Sequence, residues 1–329
     1  MLDLPDSVPP QVLRELYQMM LEIRKVELKI AEHYPTDEMR TPIHLCIGQE
    51  AVAAGVCANL HTDDYVFSNH RGHGHYLAKK GNLNTMIAEL YNKETGCARG
   101  RGGSMHLVDP AVGLLGSSSI VAGGIPVATG AALAAAYRKD GRVAVVFFGD
   151  GAAEEGVLYE SINFAVLKKL PVIYVCENNL YAVCSPLHRR QPGNDIYKRV
   201  EGFGIPAGCI DGNDVIQVYE TARQAVALAR QGGGPYFLEC KTYRLTDHHD
   251  RKTGVESGYR TQAEWDEWAG QCPLKRLESF LKAGNLVSDQ ELQAMEKAVD
   301  KKIAQAFLFA QASPLPRKSE IAKYLYSSS

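Results

Sequence analysis

Apolar positions recur along this 329-residue chain in two rhythms. Over residues 11–33 Leu13, Leu16, Met20 and Ile23 repeat at helical spacing and predict an amphipathic helix. Alanine-rich stretches near 49–60 and 126–138 read as further helices, with glycine-rich loops at 69–74, 96–103 and 122–124. Residues 34–43 read as a loop, and the proline-rich residues 1–10 as an extended arm. The second rhythm is the unbroken apolar run. Val143–Phe148 and Pro171–Cys176 are two such runs, as expected of parallel strands covered on both faces. A helical stretch from Ala152 to Lys169 lies between them, with Leu158, Ile162 and Ala165 on one face. Strand, tight turn, helix and strand make a βαβ unit. A helix near 214–230 and a strand at Tyr236–Cys240 continue the alternation. The predicted fold class is α/β, with a mostly parallel sheet and helices on both faces. The tail differs. Ser288–Glu291 has the form of a capping box. Leu292, Met295, Val299, Ile303 and Ala306 then mark an amphipathic helix, serving the core or a subunit contact. There are no internal repeats.

Charge changes the picture by exclusion. A net charge of -2 and a pI near 6.6 give no reason to expect a nucleic acid or an anionic membrane as partner. Arg99–Gly103, an isolated basic glycine-rich stretch, reads as a loop rather than an RNA-binding tail. The eight cysteines include no C-x-x-C pair, and several sit in apolar runs. They read as reduced, mostly buried thiols of a cytoplasmic protein. No secretory signal is visible at the N-terminus, and no apolar run is long enough to cross a bilayer.

The chemistry gathers where strands end, because ligands of open parallel sheets bind beyond the carboxyl ends of strands. One end carries Gly149-Asp150-Gly151, the other Glu177-Asn178-Asn179. As ends of one βαβ unit they should lie close together. Backbone N–H groups at a helix start accept a diphosphate, and Gly149 and Gly151 let the chain come near it. Asp150 and Asn179 offer hard oxygens, which suit Mg²⁺ bridging to phosphate. Either motif alone is a common turn; both together favour a ligand site. A dinucleotide would want G-x-G-x-x-G. Here the glycines fall at 149, 151 and 156, which weakens that rival and leaves it open, since Glu177 could serve as its acid.

With these motifs in place, the chain resembles the alpha subunit of the thiamine diphosphate-dependent decarboxylating component of 2-oxoacid dehydrogenase complexes, of pyruvate or acetoin dehydrogenase type. Phe148–Ala153, Cys176–Tyr181, His44–Glu50, His70–Gly74, Gly100–His106 and Thr242–Arg244 carry the likeness, which spans nearly the whole chain. The resemblance implies a thiamine diphosphate-binding domain over 11–260 and a helical C-terminal extension of it over 261–329. It implies thiamine diphosphate and Mg²⁺ as cofactors. Asp150 and Asn179 would hold the metal by side chains and Tyr181 by its carbonyl. Arg71 would contact the diphosphate, and Gly149, Gly151 and Ala152 would form its backbone cradle. Ser119 would contact the aminopyrimidine side through its backbone, and Val121 would support the bent cofactor. His248, His44 and His73 match the family's active-site histidines, and His248 would also reach the cofactor.

Departures bear on the substrate more than on the cofactor. His70 stands where many relatives have Tyr and can still donate to phosphate. His249 stands where relatives switched by phosphorylation have Ser, so that switch is not expected. Thr246–Lys252 differs from the family's usual text, as do Pro42 and Ile43. The family's cofactor lies between two chains, so the resemblance implies an alpha-two beta-two assembly. In it a beta subunit supplies a glutamate to the pyrimidine side. The implied reaction decarboxylates a 2-oxoacid or cleaves acetoin and passes the acyl group to a lipoyl acyltransferase. Two alternatives stay open: half of a split transketolase-like or acyloin-forming enzyme without a lipoyl partner, and a non-catalytic scaffold subunit.

Overall fold

The computed structural model describes residues 8–249, 252–320 and 322–323. Residues 1–7 of the expected arm, Asp250 and Arg251 of the divergent loop, and the last residues of the tail lie outside that set. Helix α1 spans Pro10–His33 and α2 Glu50–Cys57; then come β1 (Tyr65–Asn69), α3 (His73–Ala78), α4 (Leu83–Leu90) and β2 (Leu114–Ser118). The central unit is α5 (Gly124–Arg138), β3 (Ala144–Gly149), α6 (Gly156–Lys168) and β4 (Val172–Asn178). A two-residue-arm hairpin, β5 (Tyr181–Ala182) and β6 (Ser185–Pro186), leads to α7 (Leu187–Arg190) and α8 (Ile196–Glu201). The rest is β7 (Ala207–Asp211), α9 (Val215–Arg230), β8 (Tyr236–Lys241), α10 (Gln262–Gly270), α11 (Pro273–Ala283) and α12 (Asp289–Ala312).

Six strands form one sheet in the order β2-β1-β3-β4-β8-β7, and every pairing in it is parallel. The expected α/β class is what the chain adopts. Along β3, Val145 and Phe147 face the core shared with α1, α2 and α9, while Ala144, Val146 and Phe148 face the one shared with α5, α6 and α8. Both faces are covered, so no position can be polar, and the run reads as continuously apolar. Burying a side chain such as Phe147 contributes about 2–3 kcal/mol.

Two local expectations need correction. The helix after β3 does not begin at Ala152. Asp150–Glu154 form a 3₁₀ turn, Glu155 is extended at φ −81° and ψ 133°, and α6 starts at Gly156. The stretch 69–74 is not loop throughout, because α3 begins at His73. The tail follows expectation at its cap: the Ser288 hydroxyl accepts the Glu291 N–H, and Glu291 accepts the Ser288 N–H. Leu292, Val299, Ile303, Ala306 and Phe307 of α12 are buried in the core shared with α1 and α4, which assigns that face to the core.

The Arg99–Gly103 stretch is a loop wound about one acid. Glu89 is fully buried, and its carboxylate accepts N–H bonds from Ala98, Gly100, Gly102 and Gly103 at 2.8–3.0 Å. Gly100 and Gly103 have φ of +70° and +60°, a region that favours glycine. Glu89→Ala strands four donors, one buried and three partly buried, and should lower stability by about 3 kcal/mol. A urea midpoint for that variant equal to the wild type's would refute this role.

Candidate active site

Asn69, Gly149 and Asn178 end three adjacent strands, β1, β3 and β4. Gly149 pairs with Glu177 across β3 and β4, so the two predicted motifs stand side by side. They line one open cavity of about 230 Å³. Its walls include His44, His70, Arg71, Ser119, Val121, Gly149, Asp150, Gly151, Ala152, Asn179, Tyr181 and His248. Every predicted site residue except His73 therefore meets there.

The glycines shape the floor. A Cβ on Gly149 would meet nothing within 4 Å, so its side is open space. A Cβ on Gly151 would come within 3.0 Å of Ala182, so that backbone is pressed against β5. Asp150 is only 1% exposed. Burial raises its carboxyl above the usual range, and the Arg190 guanidinium, to which it is hydrogen-bonded, pulls it back down. Arg190 also pairs with Glu154. Asn179 donates to Gln49 Oε1 at 3.1 Å, and its own Oδ1 accepts the Tyr181 N–H at 3.3 Å. That second bond turns the chain, with Leu180 at φ +71°, and carries Tyr181 back toward the cavity.

Arg71 is 5% exposed; its Nη1 donates to the Leu45 carbonyl at 2.5 Å and its Nη2 lies 3.3 Å from His248 Nδ1. Burial and the neighbouring Arg244 charge lower Arg71 to about 9. Four imidazoles cluster beside it. His44 lies 4.6 Å from His70, 5.0 Å from His248 and 4.5 Å from His249, ring to ring. Burial, then the Arg71 charge, holds His44 and His248 down at about 2 and His70 at about 3. All three are neutral at physiological pH and can exchange a proton only through a neutral ring nitrogen. His73 is elsewhere. It is fully buried in the first turn of α3, with Nδ1 3.0 Å from Glu27 and Nε2 2.7 Å from Ser104. Both ring nitrogens are committed, so it lies outside the cavity wall and can act there only through others.

The sequence reading gave no role to Gln49, Asn69, Met105, Ile120 or Arg190. Gln49 stands inside a motif that had already been singled out, which was its signal. Arg190 lies forty residues past Asp150, at the end of the short helix α7, and nothing local marks it. Ile120 and Val121 are 71% and 51% exposed although they line the cavity. The mouth thus carries large apolar side chains that this chain leaves uncovered.

The acid side of the stability profile follows from the histidines. Unfolded, His44 and His248 take up protons below about pH 6.5; folded, they stay neutral until about 2. The unfolded state then binds more protons, so stability is complete above about 6.5 and falls as pH drops. In chelator and without cofactor, His248→Gln should flatten the slope of urea midpoint against pH between about 4 and 6.5. An unaltered slope would mean that His248 does not titrate on unfolding.

Comparison with known proteins points to one family. Residues 17–319 match the dehydrogenase E1 component family. The alpha subunit of acetoin:2,6-dichlorophenolindophenol oxidoreductase from Bacillus subtilis is 39% identical over 95% of this chain and 93% of its own length. The pyruvate dehydrogenase E1 component subunit alpha of Porphyra purpurea is 40% identical over 95% of this chain and 92% of its own. The human somatic mitochondrial form of that subunit is 37% identical, over 95% and 79% respectively. With the motifs, the fold and these relatives in agreement, the chain belongs to the dehydrogenase E1 component family.

Proposed function

We propose that this chain is the diphosphate-binding alpha subunit of a thiamine diphosphate- and Mg²⁺-dependent enzyme that decarboxylates a 2-oxoacid or cleaves acetoin. The observation that carries the reading is the meeting of Asp150 and Asn179 at adjacent strand ends, beside Arg71 and an open glycine floor. A buried carboxylate paired with a guanidinium is one whose cationic partner a metal ion could replace. Asp150 and Asn179 would give Mg²⁺ side-chain oxygens and Tyr181 its carbonyl. Arg71, Gly149, Gly151, Ala152, His70 and His248 would hold the diphosphate, with Ser119 and Val121 toward the rings. When bound, thiamine diphosphate supplies an electron sink for the pair left as the carboxyl departs.

The chain's own groups do the rest. Arg71 fixes His248 by the contact at Nδ1. Neutral His248 and His44 can take or return a proton at a ring nitrogen next to the substrate. Phe148 and Met105 give the cavity apolar surface, and Ile120 and Val121 add more at the exposed mouth. The uncovered mouth is where a beta subunit would close the site and bring the glutamate for the pyrimidine side. The acyl group would pass to a lipoyl acyltransferase. The text at Thr246–Lys252, which departs from the family's, favours one second reading: half of a split transketolase-like or acyloin-forming enzyme with no lipoyl partner. Eight unpaired cysteines suit the cytoplasm; among the described residues no helix is long and apolar enough to cross a membrane.

Two substitutions test the metal site. Asp150→Ala should weaken Mg²⁺-dependent binding of the cofactor by roughly a hundredfold or more, about 3 kcal/mol, in titration calorimetry. Retained affinity in a folded variant would remove Asp150 from the metal. Arg190→Ala frees Asp150 from its competing cation and should tighten Mg²⁺ by up to about tenfold; weaker binding would mean that Arg190 helps to hold the metal complex. The substrate is tested by dye reduction. The chain co-expressed with its beta partner should reduce dichlorophenolindophenol with pyruvate or acetoin, and activity with neither would move the reaction outside this substrate class.

A further inference from the structure

Apart from the oxygen ligands assigned to Mg²⁺, three imidazoles converge at the rim of the cavity. His44 precedes α2; His248 and His249 lie on the loop after β8. One ligand nitrogen from each lies within 4.8 Å of the other two. Their rings stand 4.3–5.0 Å apart, edge to face. His44 is 4% exposed, and its Nδ1 is buried with no hydrogen-bond partner. Leaving such an atom unmet costs about 1–3 kcal/mol, so the position has an unfilled demand for a ligand.

We propose that His44, His248 and His249 form a second metal site, for a divalent transition ion of the Zn²⁺ type, whose occupancy antagonises the cofactor. The antagonism rests on the cofactor reading above; the metal site does not. Ligand chemistry selects the ion. Three imidazole nitrogens suit zinc, cobalt, nickel or copper, whereas Mg²⁺ takes oxygen and keeps its waters. Three histidines with one open position form a familiar zinc arrangement. At Zn–N distances near 2.0–2.1 Å the ligand nitrogens would sit about 3.3 Å apart. The widest present separation must close by roughly 1.5 Å. His249 is exposed, so its ring can swing to do this.

The surrounding charges set the strength. Arg71 and Arg244 face the cluster and oppose a cation. The Asp247 carboxylate, which accepts the His248 backbone N–H at 2.6 Å, works the other way. For His248 to bind metal it must turn a lone pair to the ion, and Arg71 Nη2 must cease to compete for the ring. Arg71 keeps its bond to the Leu45 carbonyl meanwhile. His248 is also a proposed diphosphate contact, so the ion withdraws it from the cofactor.

The test uses Co²⁺ as probe on the chelator-treated complex of this chain with its beta partner. Wild type should develop the visible absorption of four-coordinate cobalt, saturating at one ion per alpha chain. His249→Ser removes one ligand from a residue outside the cavity wall, and should weaken Co²⁺ by at least about tenfold. No visible band, or equal binding by the two proteins, overturns the site. Calorimetric binding of thiamine diphosphate with Mg²⁺ is then repeated with Zn²⁺ present. Weakening in wild type but not in His249→Ser supports the antagonism, and no weakening refutes it. If Co²⁺ binds as expected while the cofactor never does, the cofactor reading fails and the metal site stands.

Discussion

A carboxylate sunk at the end of a buried strand needs a partner, and Asp150 is that carboxylate. The parallel sheet puts it there. β3 runs apolar to Phe148, the chain turns at Gly149, and the first polar group out of the core is almost wholly buried. A lone buried charge would be prohibitive. Arg190 reaches across from α7 to satisfy it. That single pairing ties the β5–β6 hairpin region to the sheet end and marks the place where a metal would exchange with a guanidinium. The neighbouring strand brings Asn179 to the same point by register alone.

The second constraint is incompleteness. Part of the cavity lining is polar and supplied by strand ends; another part is Ile120 and Val121, largely exposed. Apolar groups of this size at the mouth of a polar cleft are what a further subunit would cover. The cluster of neutral imidazoles around Arg71 belongs to the same logic. Burial next to a guanidinium keeps them uncharged, so they serve as ligands and proton carriers rather than as counter-ions.

The central βαβ unit was legible because both faces of β3 and β4 are covered, which leaves an apolar run with no alternation to confuse it. β1, β2 and β7 were not foreseen. β2 is Leu114–Ser118, with a glycine and two serines, and β7 is Ala207–Asp211; both draw their pairing from neighbours rather than from their own propensity. The start of α6 was misread because Ala152–Glu155 are good helix formers, and only the extended backbone at Glu155 separates them from the helix. The motifs located the cavity because strand ends must meet where strands pair. They could not separate His73 from His44: the two histidines sit in similar text, but the first turn of α3 buries one beneath the cavity and a loop carries the other to its wall. Arg190 depends on a contact across forty residues, and no local pattern encodes it.

The central claim is that this chain holds half of a shared cofactor site. The most direct measurement is calorimetric titration of thiamine diphosphate with Mg²⁺ into the chain alone and into the chain co-purified with its beta partner. The account predicts stoichiometric, Mg²⁺-dependent binding to the complex and binding at least about tenfold weaker to the chain alone. Absence of binding in both would contradict the account and leave a subunit without the cofactor chemistry assigned to it.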